Sequence, residues 1–237
     1  DGSHTLYVQA GNDEGKWSAS GSFEITIDTE PPSGYTVSID ASAINASNEN
    51  DISFTFAGAE IGATYDYSID DTNAGTSAIE DSGTISAADE QITGIDVSSL
   101  DDETITLTVS LADSLGNAGS DASDTIEKDT VPPTISTWGN LTDIGSDQYT
   151  VEVTFSEDVS NANDTANYQV NDGSVSPGSV SINSVSYSNP TATITLDIAG
   201  TDGVDTFTIE VINGGTAITD GTNDLNLGTN NPSGNYT

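Results

Sequence analysis

The chain has 237 residues, enough for one large or two ordinary domains with cores of their own, and its 39 Asp plus Glu against two Lys plus Arg give a formal net charge of −37. With so few bases to meet phosphates, nucleic acid and anionic membrane surfaces are excluded as partners, and no apolar run approaches the roughly 18 residues that insert across a bilayer. Zero Cys and zero Met remove disulfides and thiolate chemistry, and a single histidine, His4, leaves little from which to build a catalytic triad, so no enzyme is expected.

From the N-terminus onward, TLYVQA, YTVSID, ISFTFAG, TYDYSID, TITLTVSL, YTVEVTF, TATITLDI and DTFTIEVI alternate at period two, with Gly, Asn, Asp and Ser between them. Runs this rich in Thr and Val disfavour helix, and no helical pattern of ten residues appears. The expected fold class is all-β, and several short strands per hundred residues predict sandwiches. Trp17, Trp138, Phe54, Phe56, Tyr65, Tyr67, Phe155, Tyr168 and Phe207 are expected in or beside the cores.

An internal repeat sets the organisation. Sliding the opening segment by 101 positions lays Asp1, Thr5, Leu6, Val8, Gly15, Ser22, Ile25, Asp28, Thr29, Pro31 and Pro32 over identical residues at Asp102, Thr106, Leu107, Val109, Gly116, Ser123, Ile126, Asp129, Thr130, Pro132 and Pro133, without a gap. Residues 1–30 are therefore expected to be the last two strands of a truncated module. Residues 31–131 form a complete one, and 132–237 a second, divergent one that keeps the ending FTIEVI, the loop TDGTNDLN and a lone Pro232.

The segment HTLYVQAGNDEGKWS, followed by FEITIDTEPP, resembles bacterial immunoglobulin-like modules, and VTFSEDVSNANDTANYQV resembles a second class of them in bacterial surface proteins. The acidity, the Thr, Ser and Asp richness and the lack of Cys are similar to the repeats of large calcium-dependent adhesins of the repeats-in-toxin type. The resemblance implies tandem immunoglobulin-like β-sandwich domains in an elongated array, on an extracellular bacterial cell surface. The glycine-rich calcium nonapeptides of such adhesins are absent from this sequence.

A chain this acidic needs positive charge from elsewhere, and calcium is the natural supplier because it prefers oxygen ligands. In an immunoglobulin-like sandwich the end of the last strand, the loop before the penultimate strand and the following module's last loop converge. At the first such junction this places Asp1, Asp28, Glu30, Asp113 and Asn117. At the second it places Asp101, Asp102, Glu103, Asp129, Asp220, Asn223 and Asp224. Pro-Pro after each acidic linker is expected to make a stiff connector. Asp70–Asp71 and Glu157–Asp158 are expected to be solvated turn or strand-edge pairs, and an amide cross-link from Lys16 or Lys128 is a minor alternative.

Two functions follow. The first is a structural spacer of a surface adhesin, rigidified by calcium, whose partners are the neighbouring modules of its own chain. The alternative is a binding segment that contacts a cell-surface peptide or glycan through loops of the divergent module. The net charge predicts a monomer.

Overall fold

In the computed structural model, residues 1–172, 179–199, 206–228, 231 and 236 are described; Pro232 lies outside them. The chain divides into two compact units, residues 1–42 with 48–127, and residues 43–47 with 128–237. Among the described residues the only helical element is the short 3-10 turn Thr165–Asn167, and the rest of the ordered backbone is strand and turn.

The first unit opens with a hairpin, β1 (Gly2–Val8) and β2 (Gly21–Ile27), paired antiparallel from Gly2 opposite Ile27 to Val8 opposite Gly21. Next come β3 (Thr36–Ile39), β4 (Ile52–Ala57), β5 (Thr64–Asp70), β6 (Ile79–Thr84), β7 (Gln91–Ile95), β8 (Thr104–Ala112) and β9 (Ala122–Glu127). They form two sheets, β3-β4-β7 and β6-β5-β8-β9. This is an immunoglobulin-like Greek key in which β6 joins the sheet of the last two strands.

The period-two alternation of the sequence becomes an inward and an outward face. Val37, Ile39, Ile52, Phe54 and Phe56 from one sheet meet Tyr67, Ile69, Ile105, Leu107 and Val109 from the other, all at most 8% exposed. Phe54 sets its ring edge-on to Phe56 and Tyr67, at centroid distances of 5.5 and 5.4 Å, the arrangement favoured by aromatic quadrupoles.

The second unit contains β10 (Ile135–Trp138), β11 (Thr142–Gly145), β12 (Gln148–Phe155), β13 (Tyr168–Asp172), β14 (Ser179–Ser188), β15 (Thr191–Ala199) and β16 (Phe207–Val211). One sheet runs β10-β12-β15-β14, with β11 on β12, and faces the pair β13-β16. Here the strand after β13, β14, lies beside β15, the constant-type immunoglobulin arrangement. Val151, Val153, Phe155, Ile194, Leu196, Phe207, Ile209 and Val211 fill its core. Asn167 is fully buried and satisfied. Its Nδ2 donates to Asn161 O at 3.0 Å and Thr216 O at 2.8 Å, while its Oδ1 accepts from Gly215 N at 2.9 Å, which ties the 3-10 turn to the loop after β16.

Of the aromatics expected near a core, Phe54, Phe56, Tyr67, Phe155, Tyr168 and Phe207 are buried, and Tyr65 and Trp138 are partly so. Trp17 is 70% exposed. It follows the hairpin's first strand, and among the described residues no second layer covers that hairpin.

The second proline of each linker is docked. Pro32 and Pro133 are both buried. Asn226 N donates to Pro133 O at 2.9 Å, and Gly119 lies so close to the first linker that a Cβ there would stand 2.3 Å from Pro32 O. Gly119 is glycine because a backbone carbonyl occupies the space of its side chain. Gly119→Ala is therefore expected to lower stability by about 1–3 kcal/mol in chemical denaturation. An unchanged midpoint would mean that the linker does not sit there.

Candidate functional site

Each acidic linker is held by an Asn from a loop about ninety residues further on. In the first unit, Asn117 Nδ2 donates to the backbone oxygen of Asp28 at 3.0 Å and to Asp113 Oδ2 at 2.7 Å. Asp113 Oδ1 accepts from Leu115 N at 2.8 Å and Asn117 N at 2.9 Å, so the loop between β8 and β9 is wrapped around one carboxylate. In the second unit the pattern recurs. Asn223 Nδ2 donates to the backbone oxygen of Asp129 at 3.0 Å, and Asp220 Oδ1 accepts from Thr222 N and Asn223 N, both at 2.7 Å.

The linker carboxylates also match. Asp28 Oδ1 accepts from Glu30 N at 3.1 Å and Asp129 Oδ1 from Val131 N at 3.0 Å. An Asp that bonds the N–H two residues on is an Asx turn, and it fixes the direction in which the following prolines leave. Residues 43–47 add to the second clasp: Asp129 N donates to Ile44 O at 2.9 Å and Asn45 Nδ2 to Thr222 O at 3.0 Å.

Only the second clasp gathers acids among the described residues. Carboxylate oxygens of Asp129, Glu157 and Asp220 all lie within 4.8 Å of one another, and all three residues are half-buried. Glu157 sits two residues beyond the buried Phe155 at the end of β12. Partial burial pushes its carboxyl above the ordinary range, and the charges of Asp220 and Asp129 push the same way. Oxygens bound to one calcium ion at 2.3–2.6 Å stand at most about 5 Å apart, so this spacing fits such an ion.

The expected ligands are thus partly assembled. Asp129 and Asp220 come together, joined by Glu157, a residue expected in a solvated pair. Asn223 serves as the clasp donor, and Asp224 pairs through its backbone with Thr219. Among the described residues, Asp1, Asp28, Glu30 and Asp113 do not form a carboxylate cluster. Asp1 Oδ1 accepts from Thr29 Oγ1 at 2.9 Å, and Glu30 contributes its N–H to Asp28.

Asp101 and Glu103 are committed to a turn of the first unit. Asp101 Oδ2 accepts from Asn73 Nδ2 at 2.7 Å, and Glu103 accepts from Thr72 N and Thr72 Oγ1, both at 2.6 Å. Asp102, between them, is exposed. Asp71, expected as a solvated partner of Asp70, is the hub of that turn: it accepts from Asp101 N at 2.8 Å, Asn73 N at 2.9 Å and the Thr76 hydroxyl.

No family model matches the chain, and no curated protein does. Among solved structures, it is similar to a tetra-tandem repeat in the extending region of a large adhesion protein, at 19% identity over 92% of this chain, with a TM-score of 0.37. The chain spans 55% of that structure's length. It is also similar to the chicken CNTN1 FN1-FN3 domains, at 13% identity over 98% of this chain and 74% of that one, with a TM-score of 0.37. A chitinase, ChiA74 from Bacillus thuringiensis, is similar at 19% identity over 84% of this chain and 28% of that one, with a TM-score of 0.29.

Two carboxylates titrate with opposite consequences. The Asn117 side chain, then its backbone N–H, hold Asp113 below the ordinary range and outweigh its desolvation. Its stabilisation is fully present above the unfolded value of about 3.9 and is lost as pH falls further, through the lowered folded value. Glu157 is raised, so its charge opposes folding increasingly as pH climbs above its unfolded value of about 4.3. In pH-dependent thermal melts without divalent cations, Asp113→Asn is expected to flatten the acid limb. Glu157→Gln is expected to raise stability at pH 7 and leave it unchanged near pH 3.5, below both values.

Proposed function

We propose that this chain is a spacer segment of a bacterial surface adhesin, stiffened by calcium bound at the acidic linker Asp129. The observation that carries the proposal is the approach of Asp129, Glu157 and Asp220 to within 4.8 Å in a chain with two basic residues. Three partly desolvated carboxylates at that spacing repel one another, and a divalent cation relieves the repulsion while it fixes linker to loop. The repeated clasp supports the spacer role as well, since it orients each linker by the same Asn-to-carbonyl bond. Asp129 would ligate through its carboxylate while its backbone oxygen stays with Asn223.

Calcium modules of this exposed kind bind with dissociation constants of roughly 0.1–1 mM. At about 100 times the dissociation constant, binding adds about 2.7 kcal/mol to the unit that holds the ion. Calorimetry with calcium and then with chelator is expected to show the second unit's transition move upward and return. Small-angle scattering is expected to show a narrower distance distribution with calcium. Asp129→Ala and Glu157→Gln are expected to abolish the calcium response and leave both units folded. A transition indifferent to 10 mM calcium, on the order of 100 times the tightest constant above, would sink the proposal.

A further inference from the structure

β14 is the outermost strand of its sheet, and among the described residues no strand pairs with its outer side. Such a strand offers a row of free N–H and C=O groups to any other strand, and folded proteins guard these rows with charges, bulges or brevity. Within the two sandwiches the other outermost strands are guarded. β6 carries Glu80 and Asp81, β9 carries Asp124 and Glu127, and β3, β7, β10, β11, β13 and β16 are five residues or shorter. β14 has ten residues, SVSINSVSYS, and not one charge. Its register slips between Ile182 and Ser184, a bulge that spoils the first half for pairing. Beyond the bulge, Ser184–Ser188 keeps unbroken register with Thr195 to Thr191 of β15.

The core is unfinished along this second half. On β15 the inward-facing Ala192, Ile194 and Leu196 are 0% exposed, whereas the inward-facing Val185 and Tyr187 of β14 are only half-buried. A further strand with apolar residues on that side would complete the layer. Its other side would extend the row of exposed Ser184, Ser186 and Ser188, and from Ser186 that face continues through Thr193 to the exposed Glu152. Asp158, also exposed, accepts from the Tyr187 hydroxyl at 2.9 Å. The uncharged edge is therefore flanked by acids.

We infer that Ser184–Ser188 is a docking edge for an extended segment of another protein, one in which apolar residues alternate with Lys or Arg. The backbone of that segment bonds to the open side of β14, its apolar residues continue the row of Val185 and Tyr187, and its bases face Glu152 and Asp158. A second copy of the chain is the less favourable occupant, because two molecules of charge −37 repel before their edges meet. Docking here needs no calcium.

The test uses the whole chain in chelator, at an ionic strength of about 0.15 M so that attraction between distant charges is screened. The probe is a synthetic peptide of about nine residues, Val alternating with Lys and Thr, long enough to cover Ser184–Ser188 with a margin at each end. Alternate amides of residues 184–188 are expected to exchange freely with solvent in the free chain and to slow by at least about tenfold with the peptide. Two further peptides carry N-methyl groups, one on its Val residues and the other on the residues between them. One of the two is expected to bind at least about tenfold more weakly than the parent, because a single set of N–H groups faces β14. Ser186→Lys is expected to weaken binding as much, while Thr106→Lys, the same change of charge at an exposed site of the first unit, leaves it unchanged. Equal binding of all three peptides, equal weakening by the two Lys variants, protection elsewhere in the chain or no binding by about 1 mM peptide overturns the inference. So does a free chain in which every amide of 184–188 is already protected, or one that is dimeric by sedimentation through this edge.

Discussion

A carboxylate satisfied by backbone N–H groups, amides and hydroxyls, where another protein would use Lys or Arg, is the interaction from which the loops of this molecule are built. Asp40 illustrates it. Partial burial opposes its charge, yet Ser53, Gln91 and Thr55 all donate to it and hold its carboxyl below the ordinary range. Asp71, Glu90, Glu103, Asp113 and Asp220 are organised in the same way. Bonds to a charged acceptor are roughly twice as strong as neutral ones, so each acid can set the path of the three to five residues around it. The abundance of Ser, Thr and Asn is the complement of the missing bases.

That interaction has a limit, and the second linker reaches it. At the first linker, Asp113 is the carboxylate the loop wraps, and Asn117 faces the linker carbonyl. At the second, Glu157 stands two residues past Phe155 and brings a third acid to Asp129 and Asp220. Local N–H donors neutralise one carboxylate at a time and cannot neutralise three pointed at each other. The two clasps differ in this third carboxylate.

The strands with clean alternation were legible from the sequence: the eight segments picked out by period two coincide with β1, β3, β4, β5, β8, β12, β15 and β16. Weaker ones escaped. β6 reads IEDSGT, where acids and Gly hide the period, and β14 reads SVSINSVSYS, where Ser dilutes it. The clasp acids Asp129 and Asp220 were visible because the linker repeats and the loop is rich in Asp and Asn. Glu157 was not, since its role exists only once the end of β12 is folded against two segments distant in sequence. The hydrogen bonds of Asp101 and Glu103 were not legible either: their partners are residues 71–73, which no spacing rule connects to them.

The linkers also define where one repeat ends and the next begins. Asp28 is bound by Asn117, 89 residues downstream, and Asp129 by Asn223, 94 downstream, while the oxygens of Pro32 and Pro133 rest against Gly119 and the N–H of Asn226. Every one of these partners belongs to a loop of the sandwich that comes after the linker. Each linker is therefore structurally part of the sandwich that follows it. Cutting the chain just before Asp28 or Asp129 keeps the following clasp whole, whereas cutting just after the prolines leaves a sandwich with an Asn and nothing for it to hold.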